Sequence, residues 1–150
     1  MKVLLTGSSK GIGYKIAKDL LAEGHELALH YNKNESPLDA LLKKDKTGSF
    51  SIQADLSQLE EIKKMVENTV GKLSFPDCII NNAGIAESAN ISLDINEWSK
   101  MFDKTIDVNL KAPSIIFKEF LKYKREKKIN SRLRVINIAS RAAFRGEQQD

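Results

Sequence analysis

The densest chemical signal in the chain is an eight-residue segment near its start, Thr6-Gly7-Ser8-Ser9-Lys10-Gly11-Ile12-Gly13. It joins a short apolar run, Val3-Leu4-Leu5, to a helical pattern. Glycines in such a place permit a tight turn, let backbone approach a pyrophosphate, and let the helix pack close to the strand. A phosphate there would meet the free N–H groups and the positive pole of the helix. The spacing is Gly-x-x-x-Gly-x-Gly rather than Gly-x-Gly-x-x-Gly, so a plain tight connection stays open for this motif taken alone. Four further groups sit at the ends of apolar runs or on helices: Asp55-Leu56, Asn81-Asn82-Ala83-Gly84, Asn109, and Asn137-Ile138-Ala139-Ser140. A carboxylate such as Asp55 at a strand end can accept from an amino group, or simply begin the turn before a helix. Two histidines and one cysteine, Cys78, are too few for a disulfide framework or a zinc cluster.

Strand-like and helix-like patterns alternate around these groups, which predicts βαβ units and a mainly parallel sheet. The expected strands are Val3–Leu5, Leu27–Leu29, Ser49–Gln53, Cys78–Ile80 and Val135–Ile138. A helix from about Gly11 would place Ile12, Ile16, Ala17, Leu20 and Leu21 on one face and stop at Gly24. Ser36-Pro37 reads as a cap and first turn, and Ser57-Gln58-Leu59-Glu60 as a capping box before Leu59, Ile62, Met65, Val66 and Val70. Asp94 to Glu97 starts a helix carrying Trp98, Met101, Phe102 and Ile106. Pro113 sits near the start of a separate one, with Ile116, Phe117, Phe120 and Leu121 inward. The expectation is five strands and five helices in one domain, residues 1–150, with no repeat or linker.

In this order and spacing, TGSSKGIG, Asp55-Leu56, Asn81-Asn82-Ala83-Gly84, Asn109 and Asn137 to Ser140 resemble the short-chain dehydrogenase/reductase family of the classical type, along the whole chain. The resemblance implies a doubly wound, parallel-sheet Rossmann fold of class α/β. It implies that Gly7, Ser9, Lys10, Gly11, Ile12 and Gly13 contact a dinucleotide, that Asp55 and Leu56 flank its adenine, and that Asn82, Ala83 and Gly84 line the adenosine side. Ser140 would bind the substrate oxygen, and Asn109 would help to hold a proton-relay water. The implied activity is carbonyl reduction or alcohol oxidation by hydride transfer on a small-molecule substrate.

The second strand's end reads His30-Tyr31-Asn32-Lys33-Asn34, with no carboxylate before Glu35. An acid there would accept from a ribose 2′-hydroxyl and repel a 2′-phosphate, whereas Lys33 and Lys10 would attract the phosphate. The expected cofactor is therefore NADP(H) rather than NAD. By resemblance the acid of the reaction, a Tyr-x-x-x-Lys pair, falls about thirteen residues beyond Ser140 and so past Asp150. Tyr14 with Lys18, and Tyr123 with Lys127, share that spacing but do not follow the serine strand, so neither takes the role.

The expectation is an incomplete Rossmann domain, ending in polar Gly146–Asp150 and lacking its last helix and strands, with Val135–Ile138 as an open edge. Such a chain is expected to be inactive and poor at forming the family's homo-oligomer. A non-catalytic dinucleotide-binding or regulatory protein is the alternative. The net charge is +4, and much of it lies in Lys122–Arg134, which reads as a solvated helix end rather than a nucleic-acid surface. No run approaches the about 18–20 apolar residues of a membrane span, and a lone cysteine suits a reducing cytoplasm.

Overall fold

Val3, Leu4 and Leu5 are buried on both faces, and an uninterrupted apolar strand of this kind belongs in the middle of a parallel sheet. The computed structural model, which describes residues 1–87 and 91–143, places it there. The elements are β1 (Lys2–Leu5), α1 (Gly11–Ala22), β2 (Glu26–Tyr31), α2 (Ser36–Leu42), β3 (Phe50–Gln53), α3 (Leu59–Leu73), β4 (Cys78–Asn81), α4 (Ile95–Ile106), α5 (Ala112–Glu126) and β5 (Arg134–Asn137). The strands form one sheet in the order β3-β2-β1-β4-β5, every pair parallel. Sequence order reverses direction between β1 and β4, which is where open α/β sheets leave a crevice beyond the strand ends. This is the doubly wound α/β arrangement that the alternating pattern predicts.

Alternate strand residues feed two cores. Leu4, Ala28, Ile52 and Ile79 meet α3 and α5 through Ile62, Met65, Ile116 and Phe120. Val3, Leu5, Leu27, Leu29 and Ile80 meet Ala17 of α1 and Leu38 of α2 on the other face. Gly24, at φ +78°, ends α1 in the left-handed conformation, with its N–H on Leu21 O and that of His25 on Leu20 O. No helix among the described residues is long and apolar enough to cross a membrane. Nor do they contain a cluster of metal-ligating side chains.

Several local expectations are corrected. Ile12 and Leu59 point outward, because each stands in the first turn of its helix, past the edge of the sheet. Phe117 and Leu121 are exposed as well: α5 seats Ala112, Ile116 and Phe120 on the core, so residues one step round the helix face away from it. Ser36 is the first residue of α2, after an N-cap at Glu35, and its N–H donates to Asn34 Oδ1. The capping box does not form. Asp55 Oδ1 draws in the Ser57 N–H and hydroxyl, Glu61 instead of Glu60 reaches back to the Asp55 N–H, and Glu60 pairs with Lys63. The N-cap position falls on Gln58, one residue later, and Ser57 instead closes an Asx turn on the Asp55 carboxylate.

The largest departure lies between α4 and α5. They are not separate helices: a π turn at Asp107–Lys111 joins them into one continuous stretch, closed by the Ala112 N–H on Asp107 O. Pro113 has no N–H to give, so it sits just beyond this widened turn without breaking the helix. Asp94 caps α4 as expected, accepting from the Asn96 N–H. The apolar side of α4, with Trp98 stacked on Phe102, has no buried residue. β5 is exposed along its length at the sheet edge. The polar segment Gly146–Asp150 lies outside the described residues.

Candidate functional site

The glycine-rich turn is held from two sides. Thr6 Oγ1 accepts the N–H groups of Asn82 and Ala83, each at 3.0 Å. Asn82 Nδ2 donates back to Thr6 O at 3.0 Å and Gly7 O at 2.9 Å. The ends of β1 and β4 are thus stitched together by the asparagine motif. On the far side, His30 of β2 accepts the Gly7 N–H on Nδ1 at 3.0 Å, and its carbonyl accepts both the N–H and the hydroxyl of Ser8.

Two of the glycines are demanded by this packing. A Cβ on Gly13 would lie 2.2 Å from Gly7 O and 2.4 Å from Asn82 Nδ2. One on Gly7 (φ +66°) would lie 2.7 Å from Ala83 Cα. Gly13 therefore lets α1 sit on its own turn, the close helix packing expected of a glycine at this place. Gly11 differs, because nothing lies within 4 Å of its Cβ position. Lys10 occupies the N-cap of α1, where its side chain caps nothing, so the first-turn N–H groups open onto that space. Ile12 and Lys10 are exposed and Ser9 half-buried around it.

Asp55 follows β3, one strand over. The Ser57 N–H holds its carboxyl below the usual range, helped by the Ser57 hydroxyl and by Lys104 and Lys33, against partial burial. Its Oδ1 is spent on Ser57, which leaves Oδ2 for an outside donor such as an aromatic amine. Leu56 beside it is buried. Lys33 is exposed past the end of β2. Glu35, the first acid after that strand, is turned away: its carboxylate accepts from the Ser51 hydroxyl and faces the Tyr31 hydroxyl, whose pKa is raised by burial first and then by Glu35.

The β5 end carries the remaining candidates. Asn109 stands in the π turn, and its amide is committed at both ends, accepting the Ile85 N–H at 2.9 Å and donating to Ile85 O at 2.8 Å. It thereby fixes the segment that follows Gly84. A cleft of about 580 Å³ runs between α5 and β5, lined by Asn81, Asn109, Pro113, Phe117, Asn137 and Ala139 among others. Asn81 Nδ2 donates to Asn137 Oδ1 at 2.8 Å across the last register pair of β4 and β5. Ser140 is exposed one residue past that cleft, and its carbonyl accepts the Ala143 N–H. The structure thus gathers the glycine turn, Asp55, Lys33, Asn82 to Gly84, Asn109 and Ser140 at the C-terminal end of the sheet. Neither Tyr-x-x-x-Lys pair joins them. Tyr123 stacks on Phe75 with Lys127 over its ring, and Tyr14 packs on the α1 face of the sheet.

His30 is a residue that the sequence reading passed over. Its one signal was a polar side chain at an inward position of an otherwise apolar strand, opposite Ile52.

The family model for short chain dehydrogenases matches residues 1–149. The chain belongs to the short-chain dehydrogenase family. The 3-oxoacyl-[acyl-carrier-protein] reductase FabG of Staphylococcus epidermidis is 35% identical over 112 residues, which are 73% of this chain and 45% of that protein. The corresponding reductase of Synechocystis is 28% identical over 95% of this chain and 57% of its own length. Among solved structures, a short chain dehydrogenase from Burkholderia cenocepacia in complex with NADP superposes with a TM-score of 0.78 at 25% identity, covering 98% of this chain and 58% of that one. A metagenomic short-chain oxidoreductase in complex with NADP gives 0.75 at 27% identity, over 93% and 62%. This short-chain dehydrogenase chain thus spans about half the length of the relatives it matches.

Proposed function

We propose that residues 1–150 form one dinucleotide-binding domain that holds NADP(H) for a short-chain oxidoreductase acting on a small carbonyl or alcohol. The observation that carries this reading is the uncapped N-terminus of α1, open above Gly11, together with an exposed Lys33 after β2, where Glu35 is bound to Ser51. A pyrophosphate fits the first-turn N–H groups, an adenine amino group fits Asp55 Oδ2, and a 2′-phosphate fits Lys33. NADP complexes of structural relatives at 25–27% identity support the choice of cofactor.

The bound nicotinamide would supply hydride exchange with a carbonyl or alcohol carbon. Ser140 offers a hydroxyl to the substrate oxygen at the end of β5, where charge develops. Asn109 holds the Ile85 segment, and through it Asn82 to Gly84, against the π turn. The alternative reading is a non-catalytic dinucleotide-binding or regulatory role. Carbonyl-dependent oxidation of NADPH by the protein would exclude it.

Calorimetric titration with NADPH and NADH tests the central reading. Tighter binding of NADPH is expected, and Lys33→Glu should weaken NADPH about tenfold or more while sparing NADH. Equal affinity of the two cofactors in both proteins would remove the preference, and no binding of either would remove the reading. Where turnover is measurable, in the protein as its own gene encodes it, Ser140→Ala should lower kcat about a hundredfold or more with NADPH affinity unchanged. Parallel loss of NADPH affinity would place Ser140 on the cofactor instead.

A further inference from the structure

We propose that His30 is a positioning residue of the cofactor site, a neutral ring that bridges the glycine-rich turn to the end of β3. The inference rests on the dinucleotide reading and deepens it. The Gly7 N–H can only donate, so His30 Nδ1, 3.0 Å away, must accept. The single proton of a neutral imidazole then sits on Nε2, where the Ala54 carbonyl lies 2.9 Å away to receive it. Both ring nitrogens are satisfied in one tautomer and in no other protonation state.

The two ends of the bridge belong to two parts of the ligand site. Gly7 opens the turn that would take the pyrophosphate, and Ala54 precedes Asp55, which would take the adenine. Gly7 sits at φ +66°, a conformation that needs to be held, and the His30 carbonyl fastens Ser8 beside it. One β2 residue therefore sets the separation of the phosphate and adenine subsites.

A protonated ring would set an N–H against the Gly7 N–H and break the bridge. Burial pushes the His30 pKa below the ordinary 6.5, opposed by the Ala54 bond and by the Asp55 charge. The turn contributes no titratable group between Gly7 and Ser9. Helix α3 sends Ile62, Met65 and Val66 into the core on this side, while Glu61 bonds the Asp55 N–H. Asp55 is thus the charge that acts on the ring. Because the folded value lies below 6.5, the bridge is complete above that pH and is lost as pH falls through the depressed value.

The test is NADP⁺ affinity from about pH 8 down to about pH 5 for the wild type, His30→Leu and His30→Asn. Asparagine places Oδ1 near the position of Nδ1, so it keeps the Gly7 acceptor and does not titrate. At neutral pH the leucine variant should bind about tenfold more weakly, and asparagine should restore most of that loss. In acid the wild type should weaken relative to His30→Asn. This difference cancels the titration of the cofactor's own 2′-phosphate, which falls in the same range. Leucine binding as tightly as histidine, or asparagine binding as weakly as leucine at neutral pH, would overturn the role. If the leucine variant does not fold, His30→Asn decides at neutral pH: retained NADP⁺ affinity supports the acceptor role at Gly7, and a loss of about tenfold or more overturns it. A wild-type chain that binds no NADP⁺ at any pH overturns the dinucleotide reading itself, and the cofactor role of His30 with it.

Discussion

Gly13→Ala is expected to abolish NADPH binding and to destabilise the chain by about 3 kcal/mol or more, the upper range for overpacking. The added methyl would lie 2.2 Å from the Gly7 carbonyl oxygen and 2.4 Å from Asn82 Nδ2, distances that no Cβ tolerates. The asparagine could swing aside, at the expense of its bonds to Thr6 and Gly7. The carbonyl cannot, since it belongs to the turn itself. Asn82→Ala in the same chain should therefore fail to rescue Gly13→Ala. Gly11→Ala provides the contrast: its φ is +56° but its Cβ would meet nothing, so the cost should stay near about 1–2 kcal/mol of conformational strain. Urea midpoints of the three variants, read beside NADPH titrations, separate these effects. A Gly13→Ala chain as stable as Gly11→Ala would show that α1 does not rest on its own turn.

Phe120→Ala should be as damaging to stability and harmless to the site. Phe120 is fully buried, with its ring edge-on to Phe75 at 6.0 Å, and it anchors α5 against α3 and the sheet. Truncation of such a side chain costs about 3–5 kcal/mol, depending on how far the site can collapse. Phe75 precedes β4, so this cluster lies at the opposite end of the sheet from the glycine turn, which follows β1. NADPH affinity of the fraction that remains folded should match the wild type. A change in affinity would mean that α5 transmits strain to the turn through the π segment and Asn109. The pair of variants thus asks whether the cofactor end and the helix-packing end of this domain are energetically separate.

Most of the architecture was legible in local pattern. Five apolar runs separated by helical periodicities imply a parallel sheet, because a parallel strand pair needs a long crossover and covered faces. Glycine after β1, Asp55 after β3 and the asparagine run after β4 fall at the strand ends where such sheets bind ligands. Less legible were the helix ends. Asp55, Ser57 and Glu61 could satisfy one another in several ways, and the helix starting one residue later, after Gln58, left Ser57 to Asp55 and the Asp55 N–H to Glu61. The outward turn of Phe117 and Leu121 was hidden for a similar reason. A helix carrying apolar residues on a wide arc does not record which part of that arc meets the core.

The order of the elements, their parallel pairing and the residue types gathered at one end of the sheet follow from periodicity, turn chemistry and the chirality of crossovers, all of them local properties of the chain. Packing in three dimensions, by contrast, fixed which atoms exclude a Cβ at Gly13, namely Gly7 O and Asn82 Nδ2. It also decided that α4 and α5 are one helix joined by a π turn, and that His30 clasps the turn from the neighbouring strand. The π turn is closed locally, whereas the Gly13 and His30 requirements depend on contacts between segments far apart in the chain, such as Gly7 with His30 and Asn82 with Thr6. Such contacts are set when strands come into register, and no local pattern encodes their distances.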